Sequence, residues 1–411
     1  LNEGILLREA TEFAEESVKL LGDRQNLTEP QRLKDNLGRT ILISQVPRLV
    51  TLGRLYIKTG RTADGESLIR EAYAAEPSSP FALIGMGELN AARGQHQEAL
   101  NYFGAAYLSG AGGRNSRRAL ESAYTRVHPE GLSGLEDWLD SKYRELNPPL
   151  KEKDARKAAP AANGKVVLAE MFTGVMCAPC LGADLAMEAI TDDYTDRNVA
   201  VLMYHVHIPQ RDPLTSPASE ARKDYYSIRT APHAFVDGTW VDGVGSDRTQ
   251  AIRGYSRLSD AIEKGRATMP AGQINLKVSF DGRLIRITGE VAVERGGSDK
   301  PRLHLALAED GVRFSGSNGI RFHEMVVRAM AGDGIAVKAG RRMPVEFSFD
   351  LESIGSGLVS YLDEYDRKLA PPEVTIDEIR PAFGKQGLAI VAFIQDENTR
   401  KVLQSATYRV R

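Results

Sequence analysis

The chain contains two cysteines, and both stand in Cys177-Ala178-Pro179-Cys180. An apolar run at 166–172 precedes them and a helix-like stretch at 181–194 follows, so the pair sits where a strand gives way to a helix. A sulfur at a helix N-terminus faces backbone N–H groups without intrahelical partners and the positive end of the dipole, which together stabilise a thiolate. Cys177 is therefore the expected nucleophile. Cys180 shares its helical face within disulfide reach and is the expected resolving thiol. Pro179 in the first turn costs little, because its missing N–H would lack an intrahelical partner there. Three other readings stay open: a structural disulfide, half of a zinc site, and a pair of inert thiols. So short a loop would restrict the unfolded chain little. Zinc needs four ligands, and no second Cys-x-x-Cys exists. His205 and His207 fall on one face of a strand and His233 lies further on, which keeps a Cys/His metal site among the alternatives.

Segments of different periodicity must position this pair. At 411 residues the chain exceeds what one hydrophobic core supports, and the fold class expected is multidomain: helical repeats, an α/β domain and a β-sandwich. In the helical segment, 1–146, Leu6, Ala10, Phe13, Ala14, Val18 and Leu21 recur at three- and four-residue steps and make one apolar face. A repeat of 34 residues pairs Leu49 with Leu83, Gly53 with Gly87, Gly60 with Gly94, and Ala72 with Ala106, which is the tetratricopeptide period. Flanking helices are expected to cap such a stack, and its concave face to bind a peptide or protein partner. Residues 147–163, rich in Pro, Ala and Lys, read as a linker. Residues 164–268 alternate strand-like and helix-like runs, as an α/β domain does. From 269 the period becomes two: Ile274, Leu276, Val278 and Phe280 alternate with polar residues before the turn Asp281-Gly282. With further strands at 303–307, 345–349, 388–394 and 402–410, residues 269–411 read as an antiparallel β-sandwich. The glycine-rich stretch 314–340 receives no assigned course.

A net charge of -2 offers no basic excess for counterion release, so nucleic acid is not an expected partner. No run approaches the roughly 18 apolar residues that span a bilayer. The chain starts at Leu1 without an initiator methionine, and the expectation is a processed product; a membrane anchor, if there is one, lies outside it.

A second chemical element is Thr230-Ala231-Pro232-His233-Ala234-Phe235-Val236-Asp237-Gly238, a small residue and a proline leading an apolar strand into Asp-Gly. With Phe172 ahead of a helix-opening Cys-x-Pro-Cys, this set resembles the thioredoxin-fold oxidoreductases. The resemblance implies a cis Ala231–Pro232 bond beside Cys177, with the Ala231 backbone offered to a substrate strand. His233 becomes a candidate to tune the thiolate. Met176 stands where thioredoxins usually have Trp, and Met171 where they keep a buried carboxylate. Glu170 is the neighbouring carboxylate, one residue away and so on the other face of the strand.

Residues 165–411 also resemble a cell-envelope family in which a thioredoxin-fold domain precedes a β domain. The resemblance rests on Leu168-Ala169-Glu170-Met171-Phe172-Thr173-Gly174, Tyr204-His205 with Asp212-Pro213-Leu214, Tyr225-Tyr226, and His323-Glu324-Met325-Val326-Val327-Arg328. It implies a periplasmic or envelope location and leaves the helical repeat as a separate fusion. The expected activity is thiol–disulfide exchange on protein disulfides or dithiols, with Cys177, Cys180 and Pro232 at the reacting centre and Pro179, Ala231, His233 and Glu170 supporting it. No cofactor or resident metal is called for. A proline inside the dipeptide is shared with reducing members of the fold and points to a reductase. Two alternatives are a non-enzymatic envelope scaffold and a metal chaperone using Cys and His.

Overall fold

Glycines set the spacing of the N-terminal helices in the computed structural model, which describes residues 2–23, 31–110, 114–150, 160–368 and 387–410, without side chains at 2–5, 21–23, 31–44 and 114–115. The chain divides into two compact units, Leu1–Asn147 and Pro148–Arg411. The first holds α1 (Asn2–Asp23), α2 (Gln31–Lys58), α3 (Thr62–Ala75), α4 (Pro80–Ala92), α5 (His96–Leu108), α6 (Arg114–Val127) and α7 (Leu135–Leu146). A Cβ on Gly53 would lie 2.7 Å from the Gly65 carbonyl oxygen, and one on Gly87 would lie 2.7 Å from the Phe103 ring, so α2 can meet α3, and α4 meet α5, only through glycine. Gly60 and Gly94, one period apart, turn the chain with φ of 86° and 73°. Leu49, Leu83, Ala72 and Ala106 are all buried, so the sequence period is also a packing period. The expected apolar face of α1 behaves differently. Leu6 is 63% and Phe13 74% exposed, while among the described side chains of that face only Val18 reaches the cluster around Val46. Polar contacts tie α1 to its neighbours instead, with Glu15 accepting from Tyr56 and Arg61. The Leu21 side chain, and residues 151–159 of the expected linker, lie outside the described residues.

The second unit follows the sequence β1 (Val167–Thr173), α8 (Cys180–Asp193), β2 (Val199–His205), α9 (Pro217–Tyr225), β3 (His233–Val236), β4 (Thr239–Val241) and, after a short 3-10 turn, α10 (Ala251–Arg266). β5 (Gly272–Phe280), β6 (Leu284–Val293), β7 (Pro301–Glu309), β8 (Val312–Arg313), β9 (Phe322–His323), β10 (Val326–Met330), β11 (Ile335–Ala336), β12 (Arg342–Asp350), α11 (Leu351–Lys368), β13 (Leu388–Asp396) and β14 (Val402–Arg409) complete it. β1 and β2 are parallel and buried at every position, as strands covered on both faces must be. Among the described residues no helix is long and apolar enough to cross a membrane.

The expected boundary between 268 and 269 does not separate two compact units. One sheet runs β14-β13-β7-β10-β2-β1-β3-β4, so strands from both sides of that boundary share it. β7 explains why. Leu303, Leu305 and Leu307 enter one core, while Ala306 and Ala308 on the opposite face enter the core of β1 and β2. The sheet of β12, β6 and β5 covers the leucine face, which gives the two-layer packing expected of a sandwich but with one layer shared. The sheet also curls, bringing β14 back to the start of β1, where Ser405 Oγ donates to the Val166 carbonyl at 2.9 Å. Within the stretch read as all-β, α11 is a helix of 18 residues.

Candidate functional site

Cys177 and Cys180 form a disulfide with a Cα separation of 5.3 Å. The helix α8 opens at Cys180, with Pro179 at its N-cap, so Cys177 lies in the turn that leads into it. That turn is set by Cys180 N–H donating to the Cys177 carbonyl at 3.1 Å and Cys177 N–H to the Gly174 carbonyl at 3.0 Å. Neither sulfur lies open: Cys177 is 3% and Cys180 0% exposed, whereas Ala178 and Pro179 face solvent.

Three segments close around the pair. On one side the Ala231–Pro232 bond is cis, and the Ala231 carbonyl oxygen lies 3.6 Å from Cys177 Sγ. His233 Nδ1–H donates to the Thr230 carbonyl at 2.9 Å and the ring stacks on exposed Trp240 with ring centroids 5.9 Å apart, so it is committed to that shelf. A second segment, Gly245-Ser246, crosses the helix start: Ser246 N–H donates to the Pro179 carbonyl at 2.9 Å and the Ser246 carbonyl accepts from Gly182 N–H at 2.8 Å. A Cβ on Gly245 would lie 2.8 Å from Pro232, and one on Gly182 would run into Ser246. The third segment is the stretch that resisted assignment. β8 and β9 pair as a hairpin whose loop lies on the residues before Cys177, with Asn318 N–H donating to the Val175 carbonyl at 3.0 Å and Ser317 Oγ reaching Met176 Sδ at 3.1 Å.

Glu170 does not serve the cysteines. Alternation along β1 turns it, with Phe172, toward α9, while Met171 and Thr173 face α8. There it is fully buried and accepts from Arg222 at 2.8 and 3.1 Å, from Tyr204 at 3.0 Å and from Tyr226 at 2.7 Å. Burial and the neighbouring Glu170 push both tyrosine hydroxyls well above their ordinary value, so they stay donors. The clamp is structural.

Groups without an assigned role gather on the α8 face instead. Asp184, four residues after Cys180, turns into the protein with Thr173, His205 and Asp212 around it. Asp212 Oδ2 accepts from Val175 N–H at 2.8 Å and lies 3.0 Å from His205 Nδ1. Burial works against the Asp212 charge, but His205 and the Val175 and Leu214 amides outweigh it and lower its pKa. Asp212 is thus an anion, and His205 Nδ1 carries the proton between them. The signal for Asp184 was present as an acidic residue one helical turn beyond Cys180. The convergence of Asp212 and His323 on it is a tertiary fact that no local spacing announces. Among the described residues no group of three or more His, Cys, Asp or Glu has the arrangement to hold a metal ion.

No family model and no curated protein matches the chain. Among solved structures, HBP35 of Porphyromonas gingivalis is similar over 62% of this chain and 77% of its own, at 16% identity and a TM-score of 0.42. A domain of the outer membrane lipoprotein Omp28 from Porphyromonas gingivalis covers 35% of this chain and 91% of its own, at 16% identity and a TM-score of 0.23. The alkylpurine DNA glycosylase AlkC of Pseudomonas fluorescens covers 91% of this chain and 96% of its own, at 11% identity and a TM-score of 0.24. Likenesses this weak carry no argument about this chain.

Proposed function

We propose that the chain is a thiol–disulfide oxidoreductase of the cell envelope, acting as a reductase on protein disulfides through Cys177 and Cys180. The observation that carries this reading is the position of the disulfide: it closes at the N-terminal end of α8, with the Ala231 carbonyl oxygen 3.6 Å from Cys177 Sγ. The order β1, α8, β2, α9, β3, β4, α10 supports a thioredoxin-like reading of this part. In the reduced protein the Cys177 thiolate attacks a substrate disulfide and expels one substrate thiolate. Cys180 then attacks the mixed disulfide, expels the second thiolate and restores the Cys177–Cys180 bond. An external dithiol returns the pair to its reduced form. A substrate strand running past Ala231 would pair with its backbone. The helical unit would recruit a protein partner through its stacked hairpins, and the envelope location rests on the sequence resemblance.

One observation favours the rival reading of a non-enzymatic scaffold, namely the burial of Cys177. A single experiment separates the two. The Cys177–Cys180 couple is equilibrated against glutathione buffers to obtain its reduction potential, and turnover of a model protein disulfide is followed for the wild type and Cys177→Ser. A reversible couple with turnover that Cys177→Ser abolishes supports the enzyme. Thiols that titrate near the ordinary value of about 8.5 without turnover leave the scaffold.

A further inference from the structure

The exchange reaction as written leaves a proton unaccounted for. Cys180 must lose its thiol proton before it can attack, yet it is fully buried, and the turn around it offers amides and carbonyls but no base. One helical turn along α8, on the same face, stands Asp184. Both of its carboxylate oxygens are sealed from solvent and find no partner in good hydrogen-bond geometry, as do Thr173 Oγ1 and His205 Nε2, although the Thr173 hydroxyl is close enough to Asp184 to favour its charged form. Orphaned polar atoms in a protein interior cost free energy and call for an explanation. Here four of them surround one place.

Behind Asp184 lies a cavity of about 20 Å³, walled by Met187, Met203, His205, Ile320, His323 and Glu324. That volume admits a single water molecule, and the polar lining suits one. Three of its wall residues, His205, His323 and Glu324, belong to motifs that the exchange mechanism leaves idle. Beside the wall residue Glu324, Met325 takes φ of 47° without being glycine, a strained backbone position. Each titratable group of its lining has ionisable neighbours. Asp184 meets His205, Asp212 and Glu188; Glu324 meets Asp310, Glu188 and Asp192 and accepts from Thr191; His323 meets His205, Asp212 and Arg328. Burial raises Asp184 to about 7 and Glu324 to about 8, and burial followed by the neighbouring His205 lowers His323 to about 3. Near neutral pH Asp184 is therefore able to take up or give up a proton, while His323 stays neutral in the wall.

We propose that Asp184 takes the proton of the Cys180 thiol during resolution and that the cavity behind it, bounded by His205 and Glu324, passes that proton to solvent. The proposal rests on the exchange reading above. Written out, the Asp184 carboxylate takes the Cys180 proton and the new thiolate attacks Cys177 Sγ. The bond between Cys177 and the substrate sulfur breaks, its electron pair leaving with the substrate thiolate, which is protonated from solvent. Asp184, now a carboxylic acid, gives its proton to the cavity, and the two electrons lost by the cysteines reside on the substrate thiols.

The test uses the reduced full-length chain and dithiobis(nitrobenzoate), whose two coloured thiolates leave in separate steps. The first release reports attack by Cys177 and the second reports resolution by Cys180. Asp184→Asn is expected to keep the first release at the wild-type rate and to slow the second about 100-fold, the usual reach of a general base. Asp184→Glu restores part of it. In the wild type the second release, unlike the first, is expected to slow in deuterium oxide, because only resolution requires the Cys180 proton to move to a base, and this readout needs no variant. An unchanged second release in folded Asp184→Asn, or a wild-type second release indifferent to deuterium oxide, overturns the proposal and leaves the exchange reading standing. A wild type that releases no second thiolate overturns both.

Discussion

In the folded oxidised protein Asp184 binds its proton up to about pH 7, because burial raises its pKa from 3.8, whereas the unfolded chain sheds that proton near the ordinary value. The folded state therefore holds more protons across that window. Stability from this group is complete below about pH 4 and is lost as pH rises through about 7. Glu324 acts in the same direction up to about pH 8. His323, lowered from 6.5 to about 3, acts oppositely: its contribution is complete above 6.5 and declines as pH falls toward 3. Replacing Asp184 with Asn should remove the first of these slopes, flattening the urea midpoint of the oxidised protein between about pH 4 and pH 7. At about 1.4 kcal/mol per unit the change is a few kcal/mol at most. A slope identical in the wild type and the variant would show Asp184 to be an ordinary carboxylate. At this scale the sequence discloses what is local. Cys177, Cys180 and Pro232 are visible because their chemistry lies in adjacent letters. Alternation already put Glu170 on the other face of its strand, but the Arg222, Tyr204 and Tyr226 that hold it there come from distant segments and were not legible.

The element scale shows what that other face holds. Between β1 and α9, Arg222 and Glu170 form a bidentate pair with 4% and 0% of their side chains exposed, so neither charge has water to fall back on. Arg222→Met should cost about 3–5 kcal/mol, because it strands a buried carboxylate rather than because the pair itself contributes so much. Pairing it with Glu170→Gln should recover part of that loss in a double-mutant cycle read by urea midpoints. Thiolate release in whichever of these variants folds should match the wild type, and a selective loss of the second release would return Glu170 to the redox site. The β3–β4 turn offers a sharper case. Asp237 and Gly238 take φ of 47° and 80°, and a Cβ on Gly238 would lie 1.8 Å from the Arg400 carbonyl oxygen. Gly238→Ala must move backbone, so a loss of about 1–3 kcal/mol is expected in the same assay. The Asp-Gly signal was legible as a turn, but the partner it packs on was not. The helix α11 was legible and went unread. Asp350 caps it, accepting from Glu352 and Ser353 N–H, and Leu351, Ile354, Leu358 and Leu362 recur at helical steps. Its position between the strands β12 and β13 drew it into the β reading.

For the whole molecule the test is where the chain can be cut. Residues 148–411 form one compact unit, so that fragment should fold alone, unfold in one cooperative transition and release both thiolates from dithiobis(nitrobenzoate) at the full-length rates. Slower release would mean that the helical unit acts on the chemistry. A cut at 268 is a different matter. Local periodicity changes there, from helix-and-strand to strict alternation, and a change of period is all a sequence can offer as a boundary. The sheet ignores it. Without β10, the edge of β2 loses the partner of Met203, and the core of β1 and β2 loses Ala306, Ala308, Val327, Ala389, Val391 and Phe393. A bare strand edge beside so much uncovered apolar surface favours aggregation over folding. Fragment 164–268 is therefore expected to be insoluble, or to bind a hydrophobic dye without a cooperative urea transition, while 148–411 does neither. If 164–268 proved soluble and cooperative, with both thiolates released, the strands after 269 would be an addition to a complete domain, and the placement of the cavity wall on β9 would lose its claim to be part of the redox centre.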